Sequence, residues 1–93
     1  MSVDKINASK FINLAKLAVR NYTNQLENGR KNIGINDISV VWQCKILQNY
    51  KALLITNLFD GMYFEVTYNG DKNEIYFDVY EKRENRCFKE ENI

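Results

Sequence analysis

Few side chains of this 93-residue sequence are suited to catalysis or metal binding. The chain has no histidine, which removes the commonest general base and metal ligand near neutral pH. Cys44 and Cys87 lie too far apart for a zinc or redox motif, and we expect both thiols to stay reduced and to pack. Glu65 and Asp78 could meet across strands, but such a pair is weak support for acid–base chemistry. The sequence therefore predicts no enzyme, no metal site and no cofactor.

A second group of side chains is suited to binding. The stretch DGMYFEVTYNGDKNEIYFDVYEK, residues 60–82, interleaves aromatic rings with acids and lysines. Tyrosine offers a large contact area at a low cost in conformational entropy. These rings are either ordinary strand residues on a solvated face or part of a binding surface, and the elements around them must decide.

One helix is predicted from Asn7 or Ser9 to Leu26, because apolar residues recur there with helical spacing. Either residue can cap the first turn, and Gly29 is a plausible stop. The apolar stripe predicts that one side of this helix lies on a sheet.

Four strands are predicted after residue 37, where the apolar period changes to two. They are ISVVWQCKIL (38–47), YKALLITNLF (50–59), MYFEVTY (62–68) and EIYFDVY (74–80), and NRCFK (85–89) is a candidate for a short fifth strand. Asp60-Gly61 and Asn69-Gly70 are hairpin signals. The expected fold is α+β: one N-terminal amphipathic helix packed on an antiparallel meander of four to five strands, in a single domain over residues 1–93.

The alternation divides the strand residues between two faces. The inner rows are expected to be Ile38, Val40, Trp42, Cys44 and Ile46 in the first strand, Met62, Phe64, Val66 and Tyr68 in the third, and Ile75, Phe77 and Val79 in the fourth. Between the last two strands, a four-residue loop (69–72) would pair Glu65 with Tyr76 and Phe64 with Phe77, which avoids opposing two acids.

The opposite face is the candidate binding surface. It is expected to carry Tyr63, Tyr76 and Tyr80 with Glu65 and Asp78. The second strand is apolar on both sides, and one helix cannot cover both faces of a sheet. A tight Asp60-Gly61 turn would bring Leu54 and Leu58 beside the tyrosines. These seven residues fit a protein partner or a second copy of the chain, unless the segment after Cys87 covers them.

A basic region offers an alternative. Residues 1–36 carry six basic and two acidic side chains, whereas residues 37–93 carry seven and ten. Nucleic acid could be bound through the following side chains of the helix and the next loop: Lys10, Lys16, Arg20, Arg30 and Lys31. Against it, the net charge is only +1 and the tyrosine face is acidic. A third hypothesis is a nucleotide-sequestering protein in which tyrosines stack on the bases.

Two motifs resemble a known group of sequences. They are VWQCKILQN (41–49) with KALL (51–54), and DGMYFEVTYNGDKNEIY (60–76). Both resemble a family of small uncharacterised proteins, a domain of unknown function, from phages and prophages of low-GC Gram-positive bacteria. The resemblance implies a phage setting and supplies no catalytic residues.

These observations favour a small non-catalytic phage protein that binds and modulates a host protein, such as a CRISPR effector or another defence factor. The sequence shows no apolar stretch long enough to span a membrane and no convincing signal peptide, so we expect it in the cytoplasm of the bacterial host.

Overall fold

The structure is a computed structural model, and it describes residues 6–26, 32–58 and 61–93. One helix, α1 (Ala8–Gln25), precedes four strands: β1 (Ile38–Ile46), β2 (Asn49–Thr56), β3 (Met62–Asn69) and β4 (Glu74–Glu81). The strands form one antiparallel sheet in the order β1-β2-β3-β4. The predicted α+β fold is confirmed. Short 3-10 turns occur at Ile35–Asp37 and Glu90–Asn92.

Asn7 begins α1 as the sequence predicts, since its side-chain oxygen accepts a hydrogen bond from the Lys10 N–H at 2.7 Å. The helix ends near Leu26, and the predicted stop at Gly29 lies outside the described residues. Asn24 ties the helix to the chain that follows it, because its amide both accepts from the Ile33 N–H and donates to the Ile33 carbonyl.

The core lies between α1 and the inner face of the sheet, above all β2 and β3. Phe11, Ala15 and Val19 are fully buried at successive turns of the helix. The buried residues that meet them are Ile33, Ile38, Tyr50, Ala52, Leu54, Phe64, Val66 and Tyr68. β4 lies at the margin of this core, where Phe77 and Val79 are half-buried.

A bulge in β1 overturns the predicted inner row of that strand. Val40 pairs with Leu54, but Trp42 rather than Val41 pairs with the next residue, Leu53. The extra residue rotates the following side chains to the other face. Trp42, Cys44 and Ile46 are therefore exposed on the face of the sheet that points away from the helix, contrary to the prediction. Cys44 and Cys87 are free but exposed, so the expectation that both pack was wrong.

Leu54 and Leu58 were also predicted on the wrong face. Leu54 is fully buried and pairs with Phe64, and Leu58 is partly buried against the core. The reason lies in the β2–β3 connection, which spans residues 57–61 instead of a two-residue turn. At the end of β2, Asn57 donates its backbone N–H to the Asp37 carbonyl and its side-chain amide to Asp37 Oδ1, which ties this connection to the residue before β1. Asp60 lies outside the described residues.

The β3–β4 register differs from the predicted one as well. Glu65 pairs with Asp78 and Phe64 with Val79, and residues 70–73 form the turn. Asn69 fixes this turn, since its side-chain oxygen accepts from the N–H groups of Asp71 and Lys72. The predicted fifth strand is absent from the described chain, where residues 82–89 are irregular.

Candidate functional site

The sheet face opposite α1, called the outer face below, has no described element lying over it. Residues 82–93 are all exposed, so the tail does not cover it. The outer face consists of Trp42, Cys44 and Ile46 in β1, Lys51, Leu53 and Ile55 in β2, Tyr63, Glu65 and Thr67 in β3, and Glu74, Tyr76, Asp78 and Tyr80 in β4.

One half of the outer face, on β1 and β2, is apolar. Trp42 is directly opposite Leu53, and 41% of the Trp42 surface is exposed. The adjoining hairpin tip presents Ile46 and Leu47, which are 68% and 81% exposed. Leu47 has a φ of 57°, a left-handed conformation that costs a non-glycine residue about 1 kcal/mol. Its exposed side chain recovers little of that cost by packing within the chain.

The other half, on β3 and β4, carries tyrosines and acids. Tyr63 pairs with Tyr80, and Glu65 pairs with Asp78 in the adjacent row. Tyr76 and Tyr80 are about half exposed. The prediction that these five side chains share a face is confirmed, although their pairing differs.

Local contacts reduce the electrostatic repulsion between Glu65 and Asp78. Lys51 Nζ lies 3.7 Å from Glu65 Oε1, and the Tyr80 hydroxyl donates a long hydrogen bond of 3.5 Å to the same oxygen. Glu65 and Asp78 also raise the pKa of Tyr80, because their negative charges oppose its ionisation. The neutral phenol thus persists to a higher pH than in a free tyrosine.

Tyr76 is held in a similar way. Its hydroxyl donates a hydrogen bond of 2.6 Å to Glu74 Oε1, which orients the ring beside the edge of the sheet. This hydrogen bond, together with the Glu74 charge, raises the pKa of Tyr76. Both exposed rings therefore remain neutral donors near neutral pH.

A depression of about 250 Å³ lies where the two halves meet. Its lining includes Cys44, Lys51 and Thr67 from three neighbouring strands. The described residues contain no group of three or more histidine, cysteine or acidic side chains that could hold a metal ion. No catalytic arrangement is evident around the depression, and absence of enzyme activity stays a prediction.

The basic side chains of the alternative hypothesis do not all lie together. Lys16 and Arg20 are one helical turn apart, whereas Lys10 lies about 120° around the helix from Lys16. The Arg20 guanidinium donates to the Asn21 side-chain oxygen at 3.0 and 3.2 Å. Arg30 and Lys31 are outside the described residues.

Sequence reasoning missed the aromatic and apolar part contributed by β1. Trp42 and Ile46 were assigned to the core because the alternation that begins at Ile38 was continued through them. The run of two valines before Trp42 was the available signal, since three consecutive bulky residues cannot all share one face.

The sequence comparison places the chain in a family. Residues 12–90 match the model of a family of unknown function, DUF6275. The chain belongs to this family. The match runs from α1 through β4 into the tail, and it confirms the predicted membership of an uncharacterised family. No curated protein and no solved structure was found to match this DUF6275 chain. No helix in its described part is long and apolar enough to cross a membrane.

Proposed function

We propose that this chain is a non-catalytic binding protein whose outer face takes a protein partner. The observation that supports the proposal is a sheet face that none of the described elements covers, with an apolar half and a tyrosine-rich acidic half. The partner surface that fits it has an apolar patch and basic side chains. Leu54 and Leu58, which belong to the core, take no part.

The apolar half supplies the anchoring contacts. Tryptophan and tyrosine dominate the binding energy of protein interfaces, and Trp42 stands beside Leu53 at the centre of β1 and β2. Leu47 adds an exposed apolar side chain at the adjoining hairpin tip, where the two-residue turn between β1 and β2 accounts for its positive φ.

The acidic half determines the charge of the partner. Glu65, Glu74 and Asp78 face the same side as the tyrosines. Two basic side chains lie beside them, Lys51 near Glu65 and Lys82 over the Tyr63 ring, so three carboxylates stand against two lysines. Arginine fits such a surface, because its guanidinium stacks on an aromatic ring and binds carboxylates through paired hydrogen bonds. The phosphates of a nucleic acid would be repelled by the same carboxylates.

The biological setting rests on the sequence resemblance. The two motifs resemble small proteins of phages and prophages. Such proteins without catalytic side chains often act by binding a host component, and this step is an argument by analogy. We therefore propose a cytoplasmic phage protein that modulates a host protein, with a defence factor such as a CRISPR effector as the leading class of partner.

The test is a quantitative pull-down of the tagged protein from its bacterial host, with nuclease and across a salt series. We expect a stoichiometric protein partner that survives nuclease treatment. The double variants Trp42→Ala/Tyr76→Ala and Tyr63→Ala/Tyr76→Ala should each weaken its binding by about 100-fold, since each removes two large interface side chains.

Lys10→Ala/Lys16→Ala is the matched control on the opposite side of the molecule, and it should bind the partner like the wild type. A partner that is lost in this control and kept in the tyrosine variants would contradict the proposal. Recovery of nucleic acid that dissociates with rising salt would instead support the basic helix as the binding surface.

A further inference from the structure

β4 is an edge strand whose outer side is open. It follows β3 in the sheet order, and no described strand or backbone hydrogen bond lies on its far side. The opposite edge, β1, is interrupted by the bulge at Val41, a device that blunts strand pairing. β4 has no bulge and no proline over its eight residues. A regular, open edge of this kind is a template for another strand.

The direction of the free backbone groups follows from the β3–β4 pairing. The Lys82 N–H donates to the Gly61 carbonyl at 2.7 Å, which makes residues 61 and 82 a hydrogen-bonded pair. Such pairs alternate along an antiparallel ladder, so the even-numbered residues of β4 bond to β3. The N–H and C=O groups of Ile75, Phe77 and Val79 therefore point away from the sheet.

We infer that a second copy of this chain pairs with that edge, β4 against β4 and antiparallel, about a two-fold axis at Phe77. Phe77 of one chain then lies directly opposite Phe77 of the other, and Ile75 of each chain lies opposite Val79 of the other. These are the residues with outward backbone groups, and the three pairs would form about six hydrogen bonds. On the outer face, Tyr76 meets Asp78 and Glu74 meets Tyr80.

Charge and side-chain type select this register. Moving the two-fold axis one residue forward, to position 78, would set Asp78 opposite Asp78 of the other chain. Moving it one residue back, to position 76, would set Glu74 opposite Asp78. Both pairings oppose like charges. The two-fold at Phe77 sets each carboxylate against a tyrosine hydroxyl and keeps Ile75, Phe77 and Val79 in one apolar row on the helix side.

The hydrophobic core is partly exposed to solvent at this β4 edge. The Phe77 ring stacks on Phe64 at a centroid distance of 5.8 Å and also contacts Tyr22 of α1 at 5.5 Å. Phe77 is nevertheless only half-buried, because β4 is the last strand of the sheet in the described part of the chain. A second Phe77 would extend this aromatic cluster across the axis and exclude water from it.

Pairing through β4 with a second copy gives a closed dimer in which no β4 edge remains open. Pairing β4 with β4 uses the same surface on both chains and stops at two, whereas pairing β4 with β1 would continue without limit. The product is an eight-stranded sheet in which the outer faces of both copies lie on the same side.

Sedimentation of the untagged full chain over a concentration series tests the inference. We expect the mass to rise with concentration to twice the 11.0 kDa of one chain and to stop there. Ile75→Lys should weaken self-association by about tenfold or more, because each dimer contains the substitution twice and each lysine opposes Val79. Ile75 is 41% exposed, so the monomer should stay folded.

Ile46→Lys is the control, since it makes the same change on the other edge strand at a residue that is 68% exposed. It should self-associate like the wild type. A chain that stays at 11.0 kDa into the millimolar range, assemblies that grow beyond two, or an effect of Ile46→Lys in place of Ile75→Lys would each overturn the inference.

Disulfide formation tests the register separately. In a Cys44→Ser/Cys87→Ser background, chains carrying Tyr76→Cys and chains carrying Asp78→Cys should cross-link when mixed and should not cross-link alone. Cross-linking of Asp78→Cys alone, or of Tyr76→Cys alone, would indicate a neighbouring register and contradict the axis at Phe77.

Discussion

Leu53 and Leu54 are adjacent leucines of β2 in opposite surroundings. Leu54 is fully buried beside Phe64, and Leu53 lies half-buried on the outer face beside Trp42. The sequence offers no difference between them, because β2 is apolar on both sides. The structure settles their roles through the pairing with the neighbouring strands.

Leu54→Ala should therefore destabilise the fold far more than Leu53→Ala. The buried truncation leaves a cavity and should lower the free energy of unfolding by about 2–5 kcal/mol. The outer-face truncation should cost about 1 kcal/mol. Urea denaturation of both variants measures the difference, and equal losses would mean that Leu54 is not the core member of the pair.

The face assignments that the sequence predicted correctly belong to strands without irregularities. Tyr63, Glu65 and Tyr76 lie on the outer face as expected, because β3 and β4 alternate without interruption. Trp42 and Cys44 were misplaced because one extra residue reverses every side chain beyond it. Alternation predicts a face only as far as the next bulge.

The connections between strands determine the β2–β3 and β3–β4 registers. The sequence predicted these connections less well than it predicted the strands themselves. A like-charge pair was expected to exclude Glu65 from lying opposite Asp78. In the structure the cost is offset by Lys51 and Tyr80, which come from different strands and are not neighbours in the sequence. Local pair preferences of this kind are too small to outweigh a well-formed turn.

Gly70 lies in the β3–β4 turn, and substituting it tests whether this turn packs against the β1–β2 hairpin. A side chain there would overlap the carbonyl oxygen of Gln48, from the neighbouring β1–β2 hairpin. Asn49 also accepts a hydrogen bond from the Gly70 N–H at 2.9 Å, so the two turns are joined. We expect Gly70→Ala to destabilise the chain by about 2 kcal/mol or more, since backbone must move to admit the methyl group.

Gly34→Ala is the matched control for that measurement. A methyl group at Gly34 would meet its nearest neighbour, Asp37 Oδ2, at an ordinary 3.9 Å. This substitution should leave the melting temperature unchanged or raise it slightly, because alanine restricts the unfolded chain more than glycine does. Similar losses at both glycines would argue against a specific contact between the two turns.

The whole molecule is more extended than its length requires. Its radius of gyration is 15.8 Å, whereas a compact chain of this size has about 12 Å. The exposed tail contributes to this difference, since residues 82–93 lie outside the core. The family match nevertheless includes the tail as far as residue 90.

Removal of residues 84–93 should thus leave the fold intact. The truncated chain keeps Lys82, whose N–H donates a hydrogen bond to the Gly61 carbonyl at the end of the sheet. We expect its melting temperature to stay within about 2 °C of the full chain, because no buried apolar surface is removed. A larger drop in thermal denaturation would show that the tail packs on the sheet.

The strict alternation of β2 and β3 has an evolutionary consequence. Their even-numbered side chains from Tyr50 to Thr56 and from Phe64 to Tyr68 are buried, while the odd-numbered ones lie on the outer face. Under the proposed function, selection for a stable fold and selection for partner binding act on separate positions of the same strands. We therefore expect members of this family to differ more at the odd-numbered positions of these two strands than at the even-numbered ones.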